Sequence, residues 1–194
     1  VVDGVNMANV TLDRAKGTCV VGKHDVSRHV APDVRLASGR LGATLSHVLL
    51  LESFLQMDQY DFFMVLEDDA ILCHNWATRL RRYLDHLPSD VELARVYIDP
   101  FEGGKRFERG IEYSFNRRNR ICGNPYTSVC TGQFGQIAHI FTRAGVEAVL
   151  KTVSPIYRMP IDSAILKLTQ QGGITSYIPY ADEDIKCFSI SHPV

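Results

Sequence analysis

The sequence predicts an α/β fold with a mainly parallel sheet flanked by helices. Short apolar segments of strand length alternate along the chain with segments whose apolar residues recur at helical spacing. Strands that alternate with helices usually form a sheet that the connecting helices cover on both faces. The 194 residues, 45% hydrophobic and 22% charged, are enough for one domain with a buried core. We therefore expect a single domain over residues 1–194.

The first half of the chain carries two helix signals with a strand between them. Apolar residues at i, i+4, i+7, i+8 and i+14 from Leu41 predict a helix over about residues 42–56. The apolar run over residues 61–66 predicts a strand. Asn75 is a favourable N-cap, so a second helix is expected to begin after it and to end before Pro88.

The second half repeats this alternation around one irregular stretch. Residues 99–130 contain several glycines, among them Gly103-Gly104 and Gly123, together with Pro125, and predict a long loop. Thr142 is expected to cap a helix that follows the strand over residues 136–141. Further elements are predicted as a strand over 95–98, a helix that begins near Asp162 and ends at Gly172, and a strand over 174–178.

Charge and cysteine usage exclude several classes of protein. A net charge of −1 gives no general attraction to nucleic acid or to an anionic membrane. No segment has the pattern of a transmembrane span, a signal peptide or a lipidation motif. The five cysteines are widely spaced and form no C-x-x-C pair, so they indicate neither a zinc site nor a full disulfide framework. The compartment stays open, with the cytoplasm favoured over the lumen of the secretory pathway.

Three adjacent carboxylates are the most informative feature of the chain. The apolar run over residues 62–66 is followed at once by Glu67, Asp68 and Asp69. Each ionised carboxylate is costly to desolvate unless it is paired or bound to a cation. In open α/β sheets, ligands bind at the carboxyl ends of the strands. We therefore predict a divalent-metal site that holds a phosphorylated ligand. The alternative is a solvated turn in which Asp68 or Asp69 caps the next segment.

Several motifs together resemble glycosyltransferase family 25, which includes bacterial lipopolysaccharide galactosyltransferases and collagen hydroxylysine galactosyltransferases. The specific matches are Gly-Ala-Thr-Leu-Ser-His at residues 42–47 and Val-Leu-Glu-Asp-Asp-Ala at residues 65–70. Supporting matches are Gly132, the strand over residues 136–141, Arg-Ala-Gly at residues 143–145, and Met-Pro-Ile-Asp at residues 159–162. The resemblance runs from about Leu41 to Pro179. It implies a GT-A fold, a nucleotide-sugar donor, a divalent cation and inversion at the anomeric carbon.

The resemblance gives the three acids the place of the acidic D-x-D motif of GT-A enzymes. Mg²⁺ or Mn²⁺ prefers carboxylate oxygens and neutralises a diphosphate leaving group. Glu67 and Asp69 leave an extended backbone on the same side, so we expect Asp69 to bind the cation directly and Glu67 directly or through water. Asp68 is expected to reach the ribose or the helix side. His192 is a further candidate ligand, because other GT-A enzymes often add a histidine near the C-terminus; a frayed tail is its alternative.

An inverting displacement also needs a base for the acceptor hydroxyl. Asp162 lies at a predicted helix start, where the resemblance places the base of the family. The competing interpretation is a plain helix N-cap, and Asp162 can serve as both only if one of its oxygens stays free.

Two further segments are candidates for binding the nucleotide sugar. A glycine that opens a helix lets its backbone approach an anion, so Gly42, Ser46 and His47 are expected to help seat the nucleotide. The alternative for His47 is a satisfied core residue. Gly132 and Gln133 immediately precede a strand and are expected to contribute a loop beside the sugar. The loop over residues 99–130 either closes over the donor diphosphate, shapes the acceptor site, or is simply a solvated loop.

The sequence as a whole predicts a metal-dependent inverting glycosyltransferase. Its expected partners are a UDP-sugar, carrying galactose or glucose, and a glycan or hydroxylated acceptor. The alternative is a non-catalytic domain of the same GT-A fold used for binding or adhesion. Residues 1–4 resemble the segment that follows the first strand and helix of the family, so we expect a domain excised from a longer chain.

Overall fold

A computed structural model describes residues 10–13, 15–16, 18–67, 70–72, 74–96, 127–129, 138–179 and 188–190. The chain forms two compact units, and each is described by itself. The first unit comprises Val1–Gln59 and Val146–Ile165, and the second comprises Tyr60–Gly145 and Leu166–Val194. No helix in the described part of the chain is both long enough and apolar enough to cross a membrane.

The first unit combines a small antiparallel sheet with a long helix. Strands β1, β2 and β3 pair in sequence order, and a short 3₁₀ helix at Ser27–His29 follows them. Helix α1 presents one apolar stripe, which is fully buried. The elements are β1 (Val10–Asp13), β2 (Thr18–Val21), β3 (His24–Asp25) and α1 (Ser38–Leu55), and the buried stripe is Leu41, Leu45, Val48, Leu51 and Phe54.

Helix α1 begins one turn earlier than its apolar pattern indicates. Its first residue is Ser38 and its N-cap is Ala37, which is extended and makes no side-chain capping bond. The first intrahelical bond runs from Leu41 N to Ala37 O at 2.9 Å. Gly42 therefore lies in the second turn, where backbone amides bond within the helix. The expectation that Gly42 opens the helix is wrong, because the residues of the first turn carry neither a capping side chain nor an apolar signal.

The second unit is built on a five-stranded sheet in the order β4-β8-β6-β9-β7. A separate antiparallel pair joins β5 to β10. Three further helices complete the described elements. The bounds of the strands and helices are β4 (Phe62–Leu66), β5 (Ala70–Leu72), α2 (Trp76–Asp85), β6 (Leu93–Arg95), β7 (Thr127–Val129), β8 (Ala138–Thr142), α3 (Arg143–Val153), α4 (Ile161–Gln170), β9 (Ser176–Pro179) and β10 (Phe188–Ile190). Helix α2 belongs to the second unit, whereas most of α3 and the first half of α4 belong to the first.

The described sheet is mixed, whereas the sequence predicts a mainly parallel one. Only the β6–β9 pairing is parallel among these strands, since β8 is antiparallel to both β4 and β6, and β7 is antiparallel to β9. Strand β8 lies between β4 and β6, and the alternation of strands with helices contains no information about that insertion. Strands β4, β6 and β9 nevertheless run in one direction, so their carboxyl ends lie at one edge of the sheet.

Most predicted elements are confirmed, but only one of the two predicted N-caps makes a side-chain capping bond. The strand that ends at Leu66 and the helix that ends before Pro88 are both present. Thr142 caps α3, since its Oγ1 accepts a hydrogen bond from Gly145 N at 3.3 Å. Asn75 occupies the N-cap position of α2 but makes no side-chain capping bond. Its φ of 61° is left-handed, whereas a side-chain cap normally has an extended backbone.

Candidate functional site

The acidic segment begins where β4 ends, as the sequence predicts. Val65 is buried, Leu66 is the last residue of the strand, and Glu67 follows it half-buried. The backbone oxygen of Glu67 accepts a hydrogen bond from Ala70 N at 3.1 Å, which ties the end of β4 to the start of β5. Asp68 and Asp69 lie outside the described residues. Of the three acids, Glu67 is therefore the one that the structure describes at the carboxyl end of β4.

Strand β8 enters the sheet at the edge where β4 ends. Leu66 pairs with Ala138 in the antiparallel register, so the chain reaches β8 beside the carboxyl end of β4. Gly132 and Gln133 lie outside the described residues, but Gln133 is only five residues before Ala138 in the chain. The chain that follows these two residues enters the sheet at Ala138, beside Leu66 at the end of β4.

The C-terminal part of the chain returns to the same segment. Strand β10 is antiparallel to β5, with Ile190 paired to Ala70. His192 follows Ile190 by two residues and lies outside the described part of the chain, while Asp69 immediately precedes Ala70. Two residues span at most about 7 Å, so the covalent chain keeps both within a short distance of this pair.

Arg95 is a buried cation in the same sheet that the sequence motifs did not single out. It is the last residue of β6, its side chain is 1% exposed, and it pairs across the sheet with His139 of β8. His139 is also buried and pairs on its other side with Val65 of β4. The sequence feature that could have revealed Arg95 is its position at the end of a short apolar strand. A guanidinium there is noteworthy because its burial is costly without compensating interactions.

Asp162 is in the first turn of α4, in the first unit. Its Oδ1 accepts a hydrogen bond from Ser163 N at 2.6 Å, and the side chain is half-buried. Its Oδ2 has no hydrogen-bond partner among the described residues. The residue before the helix is Pro160, whose carbonyl oxygen accepts from Ala164 N at 3.0 Å, so Asp162 is not the N-cap. One oxygen thus stabilises the helix start while the other is available to a substrate.

Helix α1 supports the start of α4 through a contact that no sequence motif indicated. The Thr44 hydroxyl accepts a buried hydrogen bond from Ile161 N at 3.3 Å, across 117 residues of chain. This bond satisfies one free amide of α4 and holds the turn that carries Asp162 against α1.

The predicted site residues Ser46 and His47 also lie on α1, and both are half-buried. The Ser46 hydroxyl donates a hydrogen bond to Gly42 O at 2.9 Å.

A charged cluster fixes the other end of α1. His29 is 2% exposed, and its Nε2 lies 3.3 Å from a carboxylate oxygen of Glu52 and 2.9 Å from Arg28 Nε. Arg28 also donates to that oxygen of Glu52 at 3.0 Å. Burial lowers the pKa of His29, and Arg28 lowers it further, while Glu52 opposes the shift. A neutral imidazole at this position is consistent with a structural role in the first unit.

The predicted metal ligands are only partly within the described residues. No group of three or more His, Cys, Asp or Glu side chains that could hold a metal occurs among the residues that the structure describes. Of the proposed ligands only Glu67 is described, since Asp69 and His192 lie outside. The carboxylate of Glu67 is a suitable oxygen donor for Mg²⁺ or Mn²⁺, and the neighbouring acids would supply the remaining charge.

Comparison with known proteins gives one family match. The chain matches the sequence profile described as Glycosyltransferase family 25 (LPS biosynthesis protein) over residues 22–165, which is well over half of its length. The matched region includes β4, the acidic segment, α1 and the first turn of α4. Comparison with curated proteins gives no significant match.

Proposed function

The chain belongs to glycosyltransferase family 25 and is therefore a glycosyltransferase; from that premise we propose that it is a metal-dependent inverting hexosyltransferase of the GT-A type. It transfers galactose or glucose from a UDP-sugar to a glycan or hydroxylated acceptor. We further propose that residues 1–194 form one catalytic domain.

The observation that carries this proposal is the edge at the carboxyl end of β4. Strands β4, β6 and β9 run in the same direction, and Glu67 follows the first of them. Ligands of α/β sheets bind outside the carboxyl ends of such strands. The connection into β8 and the end of β10 lead to this edge as well. We therefore propose that the acids, Gly132 and Gln133, and His192 come together at this edge of the second unit.

At this edge, different residues contact different parts of the donor. Glu67, Asp69 and His192 would hold Mn²⁺ or Mg²⁺, whose positive charge stabilises the diphosphate leaving group. Asp68 accepts a hydrogen bond from a ribose hydroxyl. Gly132 and Gln133 lie beside the sugar and orient its anomeric carbon.

Asp162 serves as the base for the acceptor. Its Oδ2 accepts the proton of the attacking hydroxyl, while Oδ1 stays bonded to Ser163 N. The Thr44–Ile161 hydrogen bond keeps the first turn of α4 in place as the charge on Asp162 changes. Ser46 and His47 of α1 supply polar contacts to the nucleotide. Gly42 remains a predicted member of this segment, although its amide lies inside the helix.

Hydrolysis of the donor tests this proposal without knowledge of the acceptor. We expect the protein to release UDP slowly from UDP-galactose or UDP-glucose in the presence of Mn²⁺, because water replaces the acceptor hydroxyl. EDTA should reduce the release to background, and added Mn²⁺ should restore it. ADP-glucose is the matched control for recognition of the nucleotide base. Release that is insensitive to EDTA would contradict metal dependence, and no release from any nucleotide sugar would favour the non-catalytic binding domain.

A further inference from the structure

Three exposed or half-buried side chains of the first unit form a cationic surface that the donor chemistry leaves unused. The guanidinium carbon of Arg35 lies 5.6 Å from the centre of the Tyr157 ring, and that of Arg158 lies 5.9 Å from it. Both arginines are exposed, and Tyr157 is half-buried. We call these three residues the Arg–Tyr–Arg platform.

The platform rests on a fixed backbone. Val30 and Ile156 form a parallel bridge, and Ile156 is fully buried. Hydrogen bonds run from Ala31 N to Ile156 O at 2.8 Å and from Arg35 N to Tyr157 O at 2.7 Å. The segment that carries Arg35 and the segment that carries Tyr157 are therefore joined by their main chains. The fold therefore fixes the main-chain positions of the residues that form the platform.

The charges of the platform are not neutralised within the described part of the chain. Neither Arg35 nor Arg158 makes an ion pair with a described carboxylate, whereas Arg28 pairs with Glu52 and Arg81 with Asp85. Both guanidinium carbons lie within 6 Å of the centre of one ring, and that ring carries no net negative charge to balance them. A phosphate or carboxylate bound at the platform would supply this charge and accept hydrogen bonds from the guanidinium N–H groups.

The platform is close to Asp162 along the chain and in the same unit. Arg158 precedes Asp162 by four residues, and four residues span at most about 14 Å. Pro160, between them, accepts the first hydrogen bond of α4, so this segment leads directly into the helix start. The base removes a proton from the acceptor, so the acceptor must bind beside Asp162. Residues close to Asp162 are therefore candidates to contact the acceptor.

We propose that the Arg–Tyr–Arg platform binds an anionic group of the acceptor, either a phosphate ester or the carboxylate of an acidic sugar. Arg35 and Arg158 contact the anion, and Tyr157 is a positioning residue that holds the two guanidinium groups together. This proposal rests on the proposed function, since it assigns the acceptor class of the same site.

Binding of small sugars to the whole chain tests this assignment. The probes are glucose 6-phosphate, glucuronate and uncharged glucose, titrated while the arginine Nε–H signals are followed by NMR. We expect glucose 6-phosphate or glucuronate to bind about tenfold more tightly than glucose, and the tighter of the two identifies the anion. The double variant Arg35→Gln/Arg158→Gln should lose this preference. Arg82→Gln, which removes one exposed arginine from α2, should keep it.

Variants at Tyr157 separate positioning from simple charge. Tyr157→Phe keeps the ring and should bind the anionic sugars as the parent protein does. Tyr157→Leu removes the ring and should lose most of the preference, although both arginines remain. Equal binding of glucose and the anionic sugars by the parent protein would overturn the proposal, as would an unchanged preference in the double variant.

Two UDP measurements separate this proposal from the proposed function. In the presence of Mn²⁺, the double variant should bind UDP as tightly as the parent protein, because neither arginine is among the residues proposed to bind the donor. If the parent protein does not bind UDP at all, the proposed function fails whatever the sugars do. If metal-free UDP displaces glucose 6-phosphate from the parent protein, the platform binds the donor diphosphate, and the assignment to the acceptor is overturned.

Discussion

Asp162→Asn is expected to reduce UDP-sugar turnover by about 10²- to 10⁴-fold, the range that general-base catalysis supplies. An amide cannot take the proton of an attacking hydroxyl, so the loss falls on the chemical step. The variant should still bind UDP with Mn²⁺ as the parent protein does, since the donor residues are unchanged. Turnover is measured as UDP release, and binding by calorimetry.

The same variant should remain folded. The carbonyl oxygen of the new side-chain amide can still accept the hydrogen bond that Asp162 Oδ1 now receives from Ser163 N. Loss of the negative charge from the first turn of α4 costs at most about 2 kcal/mol, the upper limit for a partly buried charge at a helix end. Glu147→Gln, an exposed change on α3 in the same unit, is the matched control and should leave turnover unaltered. If Asp162→Asn keeps turnover within threefold and only lowers the melting temperature, Asp162 is a helix-stabilising residue and not the base.

Gly145→Ala is expected to destabilise the protein by about 3 kcal/mol, the upper end of overpacking effects. A Cβ at this position would lie 2.0 Å from the backbone oxygen of Glu92 and 2.8 Å from its carbonyl carbon. That oxygen also accepts a hydrogen bond from Thr142 N at 3.1 Å, and the Glu92 carboxylate accepts from Thr175 N at 2.6 Å. The clash involves backbone atoms, so rotation of a side chain cannot relieve it.

Thermal unfolding measures this effect directly. A loss of about 3 kcal/mol corresponds to a fall of about 6–12 °C in melting temperature for a chain of this size. Gly39→Ala is the matched control, because Gly39 lies in α1 with no atom within 4 Å of the added carbon. It should raise the melting temperature slightly, since alanine favours a helix over glycine by up to about 1 kcal/mol. An unchanged melting temperature for Gly145→Ala would show that α3 does not pack this closely on Glu92.

The features that the sequence predicts correctly are local ones. The strand before Glu67 is visible because a short apolar run stops at charged residues, and the Thr142 cap is visible because one side chain suffices to make it. The family assignment also follows from short motifs, and it is confirmed over residues 22–165. Each of these properties is encoded within a few neighbouring residues.

The features that the sequence does not predict depend on distant parts of the chain. The insertion of β8 between β4 and β6 makes the described sheet mixed, and no alternation of elements reveals a strand order. The bond from Ile161 N to Thr44 joins residues 117 positions apart. The approach of Arg35 to Tyr157 likewise needs the fold of the first unit. Helix α1 begins one turn before its predicted start because its first turn lacks a local signal.

The most direct test of the central claim is calorimetric titration of UDP with and without Mn²⁺, in the parent protein and in Asp69→Asn. We expect UDP to bind tightly only with Mn²⁺, and Asp69→Asn to weaken that binding by about 10- to 100-fold, as disturbed metal sites do. Asp61→Asn is the control, because Asp61 is exposed just before β4, at the opposite end of the strand, and carries the same charge. It should bind UDP as the parent protein does. UDP affinity that is independent of Mn²⁺, or equal in Asp69→Asn and the parent protein, would contradict a metal-held donor at the end of β4.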